Sequence, residues 1–383
     1  MKLLFINLPY YGHVVPTIGL VQELMARGCE VTYLMPYGWE KTVAESGAIF
    51  YGYTDHRQLS EQIKNAYLAA DAILDQFDGV IYEQFFFLGK HLAELHHKPA
   101  VRIFTAPAPN KVLMENYIAE GPLSVFRYRW ITKAFTRDIL KHIQKNTGYQ
   151  ISMKTDHWLD EILQDPPALN LVYTLRQFQP YEEEFAHDRY VFLGPSVYER
   201  KGESLDFVKG EQPVIYISLG TILRGAGDFF QNCVEAFRGE AVDVILSVGS
   251  RFDPKKFKNV PPNVHIYQRV PQWSVLKIAD AFVTHGGMNS VSEALVHGVP
   301  MVVIPFVSDQ PVNATRVEAL GVGRAMEYAK ADPKVLRQTV LSVMKDPSIR
   351  ENLITVQGWI QNAPGNMGGA DRILEYMKKS MTV

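Results

Sequence analysis

The stretch from His285 to Ser290, written HGGMNS, holds the side chains best suited to chemistry in this chain. It follows an apolar run and precedes a segment with helical spacing, so it lies at a strand-to-helix turn. Glycines such as Gly287 let backbone N–H groups approach a ligand, and a helix start presents a positive dipole end. Asn289 and Ser290 either cap the helix or bind an anion, and His285 adds a donor at the same place. The pattern predicts a site for a diphosphate.

Other polar residues near this turn suit a sugar nucleotide. Glu293 follows one helical turn later, where its carboxylate either binds ribose hydroxyls or is an ordinary solvated charge. Asp309 and Gln310 open a later helix, and a carboxylate beside a carboxamide can bind several sugar hydroxyls. An N-cap aspartate followed by a helical glutamine gives the same pattern, so both interpretations stay open. The turn Ser218–Thr221 ends an earlier strand and is expected to face the same diphosphate.

His13 is a second candidate for chemistry, in the turn-rich stretch Pro9–Pro16 after the first apolar run. A predicted helix, Thr17–Arg27, can begin at Pro16 and end at Gly28. An imidazole with a pKa of about 6.5 suits proton removal from a hydroxyl at neutral pH. A lone histidine in a loop is more often structural, so from the residues alone both roles remain open.

Alternating strands and helices must position these residues. In the first half the apolar runs are Leu3–Leu8, Glu30–Met35, Val80–Tyr82 and Val101–Phe104. In the second half they are Val214–Ser218, Val242–Val248, Val264–Tyr267, Ala281–Thr284 and Met301–Ile304. Helical segments between such runs predict a parallel sheet covered on both faces in each half. The predicted fold class is therefore α/β, with two Rossmann-like domains in series.

The predicted domain boundaries follow shifts in composition. The N-terminal domain takes residues 1–197, a charged stretch with two glycines at 198–212 is the linker, and the second domain takes 213–364. A tail at 365–383 begins with GNMGG and continues as a helix-like segment from Ala370 to Lys379. The segment Asn110–Asp165 is mostly helical in pattern and rich in aromatic residues, which either fill a core or line an apolar acceptor pocket. These aromatic residues are Phe126, Tyr128, Trp130, Phe135 and Trp158.

Composition excludes several classes of protein. The chain has 383 residues, 47% hydrophobic and 21% charged, with a formal net charge of −2, so disorder and nucleic-acid binding are not expected. Only Cys29 and Cys233 are present, which argues against a disulfide framework or a cysteine metal site and fits the cytoplasm. No apolar run is long enough to predict stable membrane insertion. No Asp-x-Asp motif occurs and Glu182–Glu184 fits a solvated face, so we expect no metal.

The segment Val270–Gly323, which begins VPQWSVLKIADAFVTHGGMNS, resembles the nucleotide-sugar signature of family 1 glycosyltransferases. These are UDP-sugar-dependent enzymes of the GT-B fold, and the HGGMNS form and chain length resemble those of bacterial macrolide and flavonoid glycosyltransferases. GHVVP near the N-terminus and ISLGT at the entry to the second domain also match. The resemblance implies two Rossmann-like domains facing across a cleft, the N-terminal one binding the acceptor and the C-terminal one the nucleotide sugar. It also implies a last helix, 365–383, that crosses back onto the N-terminal domain.

The resemblance implies a role for each matching residue. The nucleoside is expected to meet the Val270 backbone and Gln272, and the ribose to meet Glu293. The diphosphate contacts are expected from Thr221, His285, Gly287, Asn289 and Ser290. Asp309 and Gln310 are expected to bind the donor sugar. The family gives the loop histidine, His13, the role of general base.

Two positions depart from the family pattern. Arg269 stands where an aromatic residue often stacks on uracil. Its guanidinium plane can also stack on a base, so the identity of the base stays open. Glu83 stands where the family has an aspartate that orients the catalytic histidine. Its extra methylene requires a different backbone position or rotamer, and a charge merely at the sheet edge is the alternative.

The implied reaction is a single displacement. His13 Nε2 takes the acceptor proton while the oxygen attacks the anomeric carbon, and His285 and the helix start near Asn289 stabilise the leaving diphosphate. We therefore expect inverting, metal-independent transfer of a hexose, with UDP-glucose as the default donor and no other cofactor. The expected acceptor is a small, largely apolar hydroxyl compound such as a flavonoid or a macrolide. A UDP-sugar 2-epimerase of the same fold and a sugar-nucleotide-binding auxiliary protein without catalysis are the alternatives.

Overall fold

A computed structural model describes the chain except for residues 121–124, 152, 154–156, 165, 197–204, 221–226 and 383. For residues 116–120, 125–131, 159–160 and 164 it describes the helical backbone but not the side chains. The chain forms two compact units. Unit 1 comprises Met1–Tyr198 together with Ala363–Val383, and unit 2 comprises Glu199–Asn362.

Unit 1 is built on a parallel sheet. Its strands are β1 (Lys2–Ile6), β2 (Glu30–Pro36), β3 (Ile49–Tyr53), β4 (Gly79–Glu83), β5 (Ala100–Phe104), β6 (Leu169–Val172) and β7 (Tyr190–Phe192). They lie in the order β3-β2-β1-β4-β5-β6-β7. β1 pairs in parallel with β2 on one side and β4 on the other. The winding therefore reverses between β1 and β4, and such a switch point is where α/β sheets bind ligands at the carboxyl ends of their strands.

Helices cover both faces of this sheet. They are α1 (Tyr11–Ala26), α2 (Glu40–Ala44), α3 (Leu59–Asp71), α4 (Gly89–Leu95), α5 (Lys111–Glu120), α6 (Val125–Thr147) and α7 (Trp158–Gln164). The inner strand β1 is buried through Leu3, Leu4 and Phe5, each 0% exposed. Strands enclosed on both faces have no solvent side, which explains their continuous apolar runs.

The prediction that α1 begins near Pro16 is wrong, because the helix begins at Tyr11. Tyr10 is extended, and its carbonyl oxygen accepts hydrogen bonds from the N–H groups of His13 and Val14 at 2.8 and 3.0 Å. Pro16 lies in the second turn, where it supplies no N–H to the helix, and α1 continues through it. His13 consequently lies in the first turn of a helix and not in a loop.

Unit 2 repeats the plan with six strands. They are β8 (Val214–Ser218), β9 (Asp243–Ser247), β10 (Val264–Tyr267), β11 (Ala281–Thr284), β12 (Met301–Val303) and β13 (Gly323–Ala325). Their order is β10-β9-β8-β11-β12-β13, all neighbours being parallel. The helices are α8 (Gly227–Ala236), α9 (Gln272–Leu276), α10 (Met288–His297), α11 (Gln310–Ala319), α12 (Pro333–Lys345) and α13 (Pro347–Asn362). The switch point here lies between β8 and β11.

The last helix, α14 (Gly365–Met381), belongs to unit 1. Its buried residues Ala370, Ile373 and Met377 join the same hydrophobic cluster as Leu20 of α1. The sequence interpretation placed the helix start near Ala370, and this is wrong because the glycines are already helical. A Cβ at Gly369 would lie 3.2 to 3.3 Å from the Leu193 and Leu20 side chains, so the small residue permits close packing.

The structural division between the units falls at 198/199, at the start of the predicted linker 198–212. Residues 198–204 of that linker lie outside the described part of the chain. Residues 205–212 have no helix or strand, and Lys209 Nζ pairs with the Asp280 carboxylate of unit 2 at 2.9 Å. In the described part of the chain, no helix combines the length and the apolar character that crossing a membrane requires.

Candidate active site

The switch point of unit 1 brings His13 and Glu83 together. His13 lies in the first turn of α1, and Glu83 is the last residue of β4. The His13 Nδ1 atom lies 3.0 Å from Glu83 Oε2, with the histidine side chain 19% exposed and the glutamate fully buried. Glu83 therefore reaches the imidazole from the end of its own strand, despite the methylene that distinguishes it from aspartate.

This contact determines how the imidazole can act. A carboxylate in its ionised form only accepts hydrogen bonds, and a neutral His13 ring that donates to it carries the proton on Nδ1. The Nε2 lone pair is then available to accept a proton from a substrate, and the carboxylate stabilises the imidazolium that forms. The other oxygen of Glu83, Oε1, is buried without a hydrogen-bond partner among the described residues.

Aromatic rings surround His13. Its ring stacks on Phe85 with a centroid separation of 5.2 Å, and Tyr10 lies 5.4 Å away on a tilted plane. Phe85 in turn contacts Trp158 at 5.9 Å, and Trp158 contacts Phe135 at 6.3 Å. Two residues of the predicted aromatic segment thus connect to the environment of His13 while also packing on a hydrophobic core cluster. The side chains of Phe126, Tyr128 and Trp130 lie outside the described part of the chain.

In unit 2, glycines enclose the His285 ring at the β8–β11 switch point. A Cβ at Gly220 would lie 2.8 Å from Cε1 of this ring, and a Cβ at Gly287 would lie 2.6 Å from its Nε2. Gly286 has a φ of +84°, which favours glycine. The sequence interpretation assigned the glycines of this turn, Gly287 among them, to the approach of a ligand. In the structure, Gly287 also makes room for the imidazole.

Burial sets the charge of His285. Desolvation lowers the pKa of His285 to about 4, so the ring is neutral at pH 7. Its Nδ1 is buried and has no hydrogen-bond partner among the described residues. A neutral imidazole donates one N–H, and an anion beside it is stabilised by that donor and by the nearby helix start.

The start of α10 differs by a residue or two from the prediction. Gly287 is the N-cap and has no side chain to cap the helix, so Asn289 and Ser290 lie in the first turn, after the N-cap position. The preceding turn of glycines supplies the extended backbone of the N-cap position. The N–H groups of this first turn are therefore the ones expected to face an anion.

Three of the residues predicted to bind the nucleotide sugar meet at one side of α10. Gln272, the first residue of α9, donates from Nε2 to Glu293 Oε2 at 2.8 Å and to Ser290 Oγ at 3.3 Å. Just before it in the chain, Arg269 is exposed and Val270 is partly buried. The structure thus groups the residues predicted for the nucleoside and the ribose.

The two residues predicted for the donor sugar are both held by local hydrogen bonds. Asp309 Oδ2 accepts from the Met288 N–H at 3.3 Å, at the start of α10. Gln310 Oε1 accepts from the Phe306 and Val307 N–H groups at 2.9 and 3.1 Å. The glutamine oxygen therefore holds the loop before α11. Ser308 has a φ of +64°, so strained backbone directly precedes these residues.

Asn313 was not predicted as a site residue, although it lies at the centre of this arrangement. It is fully buried and donates from Nδ2 to Gly286 O and to Asp309 Oδ2, both at 2.8 Å. Its place four residues after Asp309 on α11 was the available signal, because such residues lie on one helix face. Thr221, predicted to reach the diphosphate, lies outside the described residues. In the described ranges, no group of three or more His, Cys, Asp or Glu side chains is arranged to hold a metal.

Comparison with known proteins decides the family. The model of the family "UDP-glucoronosyl and UDP-glucosyl transferase" matches residues 200–365. NDP-glycosyltransferase YjiC of Bacillus licheniformis is 32% identical over an alignment covering 97% of this chain and 96% of that protein. The chain belongs to the family 1 glycosyltransferases. The family prediction made from Val270–Gly323 is therefore confirmed.

Two further relatives extend the match. The oleandomycin glycosyltransferase of Streptomyces antibioticus is 28% identical, covering 95% of this chain and 88% of its own. The crystal structure of the glycotransferase of kitacinnamycin matches with a TM-score of 0.84 and 28% identity, covering 98% of both chains. This glycosyltransferase therefore has the predicted two-domain GT-B fold, and its predicted likeness to bacterial macrolide glycosyltransferases is confirmed.

Proposed function

We propose that this glycosyltransferase transfers a hexose, glucose from UDP-glucose, to a hydroxyl group of a small and largely apolar natural product. The observation that carries the proposal is the 3.0 Å contact between His13 Nδ1 and Glu83 Oε2, which prepares Nε2 to act as a base. Two relatives are named for oleandomycin and kitacinnamycin, which supports a natural-product acceptor. The aromatic rings around His13 provide an apolar surface for it.

The proposed reaction inverts the anomeric carbon. His13 Nε2 accepts the hydroxyl proton while an oxygen lone pair forms the bond to that carbon. The bond to the donor diphosphate breaks, and its electron pair leaves with the phosphate oxygen. Glu83 stabilises the imidazolium, and the His285 N–H and the first turn of α10 stabilise the leaving diphosphate without a metal. One displacement converts an α-linked donor sugar into a β-glycoside.

The donor contacts are proposed for unit 2. Gln272 and Glu293 are placed for the nucleoside and ribose, Asn289 and Ser290 for the diphosphate, and Asp309 with Gln310 for the sugar. The identity of the nucleotide base follows from fewer contacts than the other parts of the donor. Arg269 is exposed, and the Bacillus relative is named only as an NDP-glycosyltransferase. We propose UDP, with Arg269 stacking on the base.

We favour catalysis over an auxiliary binding role because the Glu83 carboxylate lies at hydrogen-bond distance from His13. A 2-epimerase needs no acceptor base, so the His13 and Glu83 pair also disfavours that alternative. We retain the cytoplasm as the proposed location, on the ground that the sequence has only two distant cysteines.

The test incubates the protein with UDP-glucose or dTDP-glucose and a panel of phenolic and macrolide acceptors, with and without EDTA. We expect a β-glycoside from UDP-glucose, identified by mass spectrometry and by its anomeric coupling constant, and unchanged by EDTA. His13→Ala is expected to lower kcat by about 10²- to 10⁴-fold, the usual contribution of a general base, without weakening donor binding measured by calorimetry. His187→Ala, which changes an exposed histidine of the same unit, is the control.

Each part of the proposal can fail separately. Equal rates from the parent and His13→Ala would remove His13 as the base. An α-glycoside would exclude inversion, and loss of activity in EDTA would exclude metal independence. Hydrolysis or epimerisation of the donor without any glycoside would overturn the proposed transfer. A preference for dTDP-glucose would show that the nucleotide base is thymine and not uracil.

A further inference from the structure

Asn7 lies directly after β1, outside the motifs that carry the proposed function, and is fully buried. Its Nδ2 donates to the backbone carbonyl of His13 at 3.0 Å and to the Tyr33 hydroxyl at 2.9 Å. Its Oδ1 accepts from the Leu8 N–H at 2.9 Å. We propose that Asn7 is a positioning residue for sugar transfer, which fixes the backbone of the catalytic histidine. This inference rests on the proposed role of His13 as the base.

The orientation of the Asn7 amide is determined by its partners. The Leu8 N–H is a donor and requires the oxygen, whereas the His13 carbonyl is an acceptor and requires the nitrogen. An exchange of the two amide atoms would therefore break both contacts. Both N–H bonds and the oxygen of Asn7 are in use, as expected for a buried polar group that stabilises one conformation.

A chain of hydroxyl groups extends this contact along α1. The Thr17 hydroxyl donates to the Val14 carbonyl at 2.7 Å, so its proton is committed and the Tyr33 hydroxyl, 2.8 Å away, must donate to Thr17. Tyr33 in turn accepts from Asn7. Burial raises the pKa of Tyr33 above its usual value, so this hydroxyl remains a donor. Asn7 thus holds the first turns of α1 at His13 directly and at Val14 through two hydroxyls.

Two neighbouring strands therefore fix the catalytic histidine in different ways. Glu83 at the end of β4 fixes the ring through Nδ1, and Asn7 at the end of β1 fixes the backbone. β1 and β4 pair with Ile6 opposite Tyr82, so the two anchors follow opposed positions of adjacent strands. The first turn of α1 has no side-chain cap from Tyr10. Asn7 contacts this turn at the His13 carbonyl, whereas a cap residue would accept from the free N–H groups of the turn.

The test compares Asn7→Ala with Asn170→Ala. Asn170 is also fully buried, donates to the Pro167 and Arg189 carbonyls at 3.0 and 3.3 Å, and accepts from Arg102 Nε at 3.0 Å. Both variants therefore lose three side-chain hydrogen bonds within unit 1. We expect both to lower the melting temperature, and only Asn7→Ala to lower kcat, by about 10- to 100-fold, because displacement of a reacting group by about 1 Å has such an effect. The KM for the donor should not change.

A double-variant comparison separates positioning from general damage. In the His13→Ala background, Asn7→Ala is expected to leave the residual rate unchanged, because there is no imidazole left to position. A further loss of rate in that background would overturn the inference, as would equal kcat values for Asn7→Ala and Asn170→Ala. If Asn7→Ala does not fold, Asn7→Ser replaces it with the same expectations.

A measurement without activity tests the positioning by Asn7 separately from the proposed function. The ¹⁵N shifts of the His13 ring, assigned by their loss in His13→Ala, report which nitrogen carries the proton. We expect the Nδ1-protonated form in the parent and in Asn170→Ala, and a shift towards the Nε2-protonated form in Asn7→Ala. The same ring state in all three proteins would overturn positioning by Asn7. Absence of sugar transfer by the parent would instead overturn the proposed function.

Discussion

Glu83 is a fully buried carboxylate with one oxygen on His13 and the other without a partner among the described residues. Glu83→Gln retains the shape and removes the charge, so an imidazolium at His13 is no longer stabilised. We expect kcat to fall by about a hundredfold or more, as for amide replacement in other histidine–carboxylate pairs. Steady-state kinetics at saturating donor and acceptor measure this.

Glu83→Asp is the matched variant, because it keeps the charge and withdraws the carboxylate by one methylene. We expect it to retain more activity than Glu83→Gln. If Glu83→Gln transfers sugar at the parent rate, the carboxylate does not assist the histidine.

At the level of single residues, the sequence predicts the site residues that belong to motifs. It does not predict the residues whose hydrogen bonds position those site residues. His13, Glu83 and the His285 turn follow strands in the chain, so their position at the sheet edge was predictable. Asn313 instead holds Gly286 across 27 residues of chain. Its spacing from Asp309 indicates a shared helix face, but the bond to Gly286 depends on the packing of separate elements and has no signal of its own in the sequence.

Among the elements, the turn between β11 and α10 depends on the space beside Gly287. Its φ of −61° suits any residue, but a Cβ would lie 2.6 Å from His285 Nε2. Gly287→Ala should therefore displace the ring and weaken donor binding by about tenfold or more, the equivalent of one hydrogen bond to a charged group. Titration calorimetry with the donor nucleotide measures the effect.

Gly358→Ala in α13 is the control for Gly287→Ala. No atom lies within 4 Å of its Cβ position. Because alanine is the better helix former, we expect a gain in stability of about 0.5 to 1 kcal/mol and unchanged donor affinity. Equal donor affinity in both variants would show that the His285 ring does not contribute to binding.

His96, just after α4, joins this helix to the end of α3. Its ring nitrogens lie 2.9 Å from Asp71 and 2.8 Å from Asp75. Burial alone would lower the pKa of His96, but the two carboxylates outweigh it and raise the pKa above its usual value. A raised folded pKa gives stability that is complete below the ordinary pKa of about 6.5 and is lost as the pH rises through the folded value.

We therefore expect His96→Ala to be more destabilising at about pH 5.5 than at about pH 9, which lie on either side of the ordinary histidine pKa. Urea unfolding at the two pH values measures the difference. His187→Ala, at an exposed position, should show no such dependence. A destabilisation by His96→Ala that is equal at both pH values would contradict the role of the carboxylates.

Most strands were predictable as elements, because apolar runs bounded by turns are typical of buried parallel strands. Helix starts were not. Pro16 and the glycines before Ala370 are poor helix residues by propensity, yet both lie within helices. Tertiary contacts, such as those of Gly369 with Leu20 and Leu193, outweigh propensity at these places.

For the molecule as a whole, α14 completes the core of unit 1. Ile373 is fully buried there. Ile373→Ala is expected to lower the free energy of unfolding by about 2 to 5 kcal/mol, the usual effect of emptying such a site. Ile354→Ala, at a position 68% exposed, should change it by less than about 0.5 kcal/mol.

Donor-nucleotide binding provides the second readout for Ile373→Ala. The proposed donor contacts all belong to unit 2, so the variant should bind the nucleotide with parent affinity at a temperature where it remains folded. A loss of affinity without unfolding would show that the two units are not independent in this respect. Calorimetry and chemical unfolding on the same preparation decide between these outcomes.

The chain passes from unit 1 into unit 2 and returns to unit 1 for α14. In sequence, unit 2 is therefore an insertion with two junctions, near Glu199 and Asn362. A chimera meant to exchange donor preference between related enzymes has to replace this insertion as a cassette and keep the recipient's own last helix. A single crossover between the units would pair α1 with the last helix of another enzyme. It would lose the packing of Asn366 against Gly19 and the ion pair between Arg27 and Asp371.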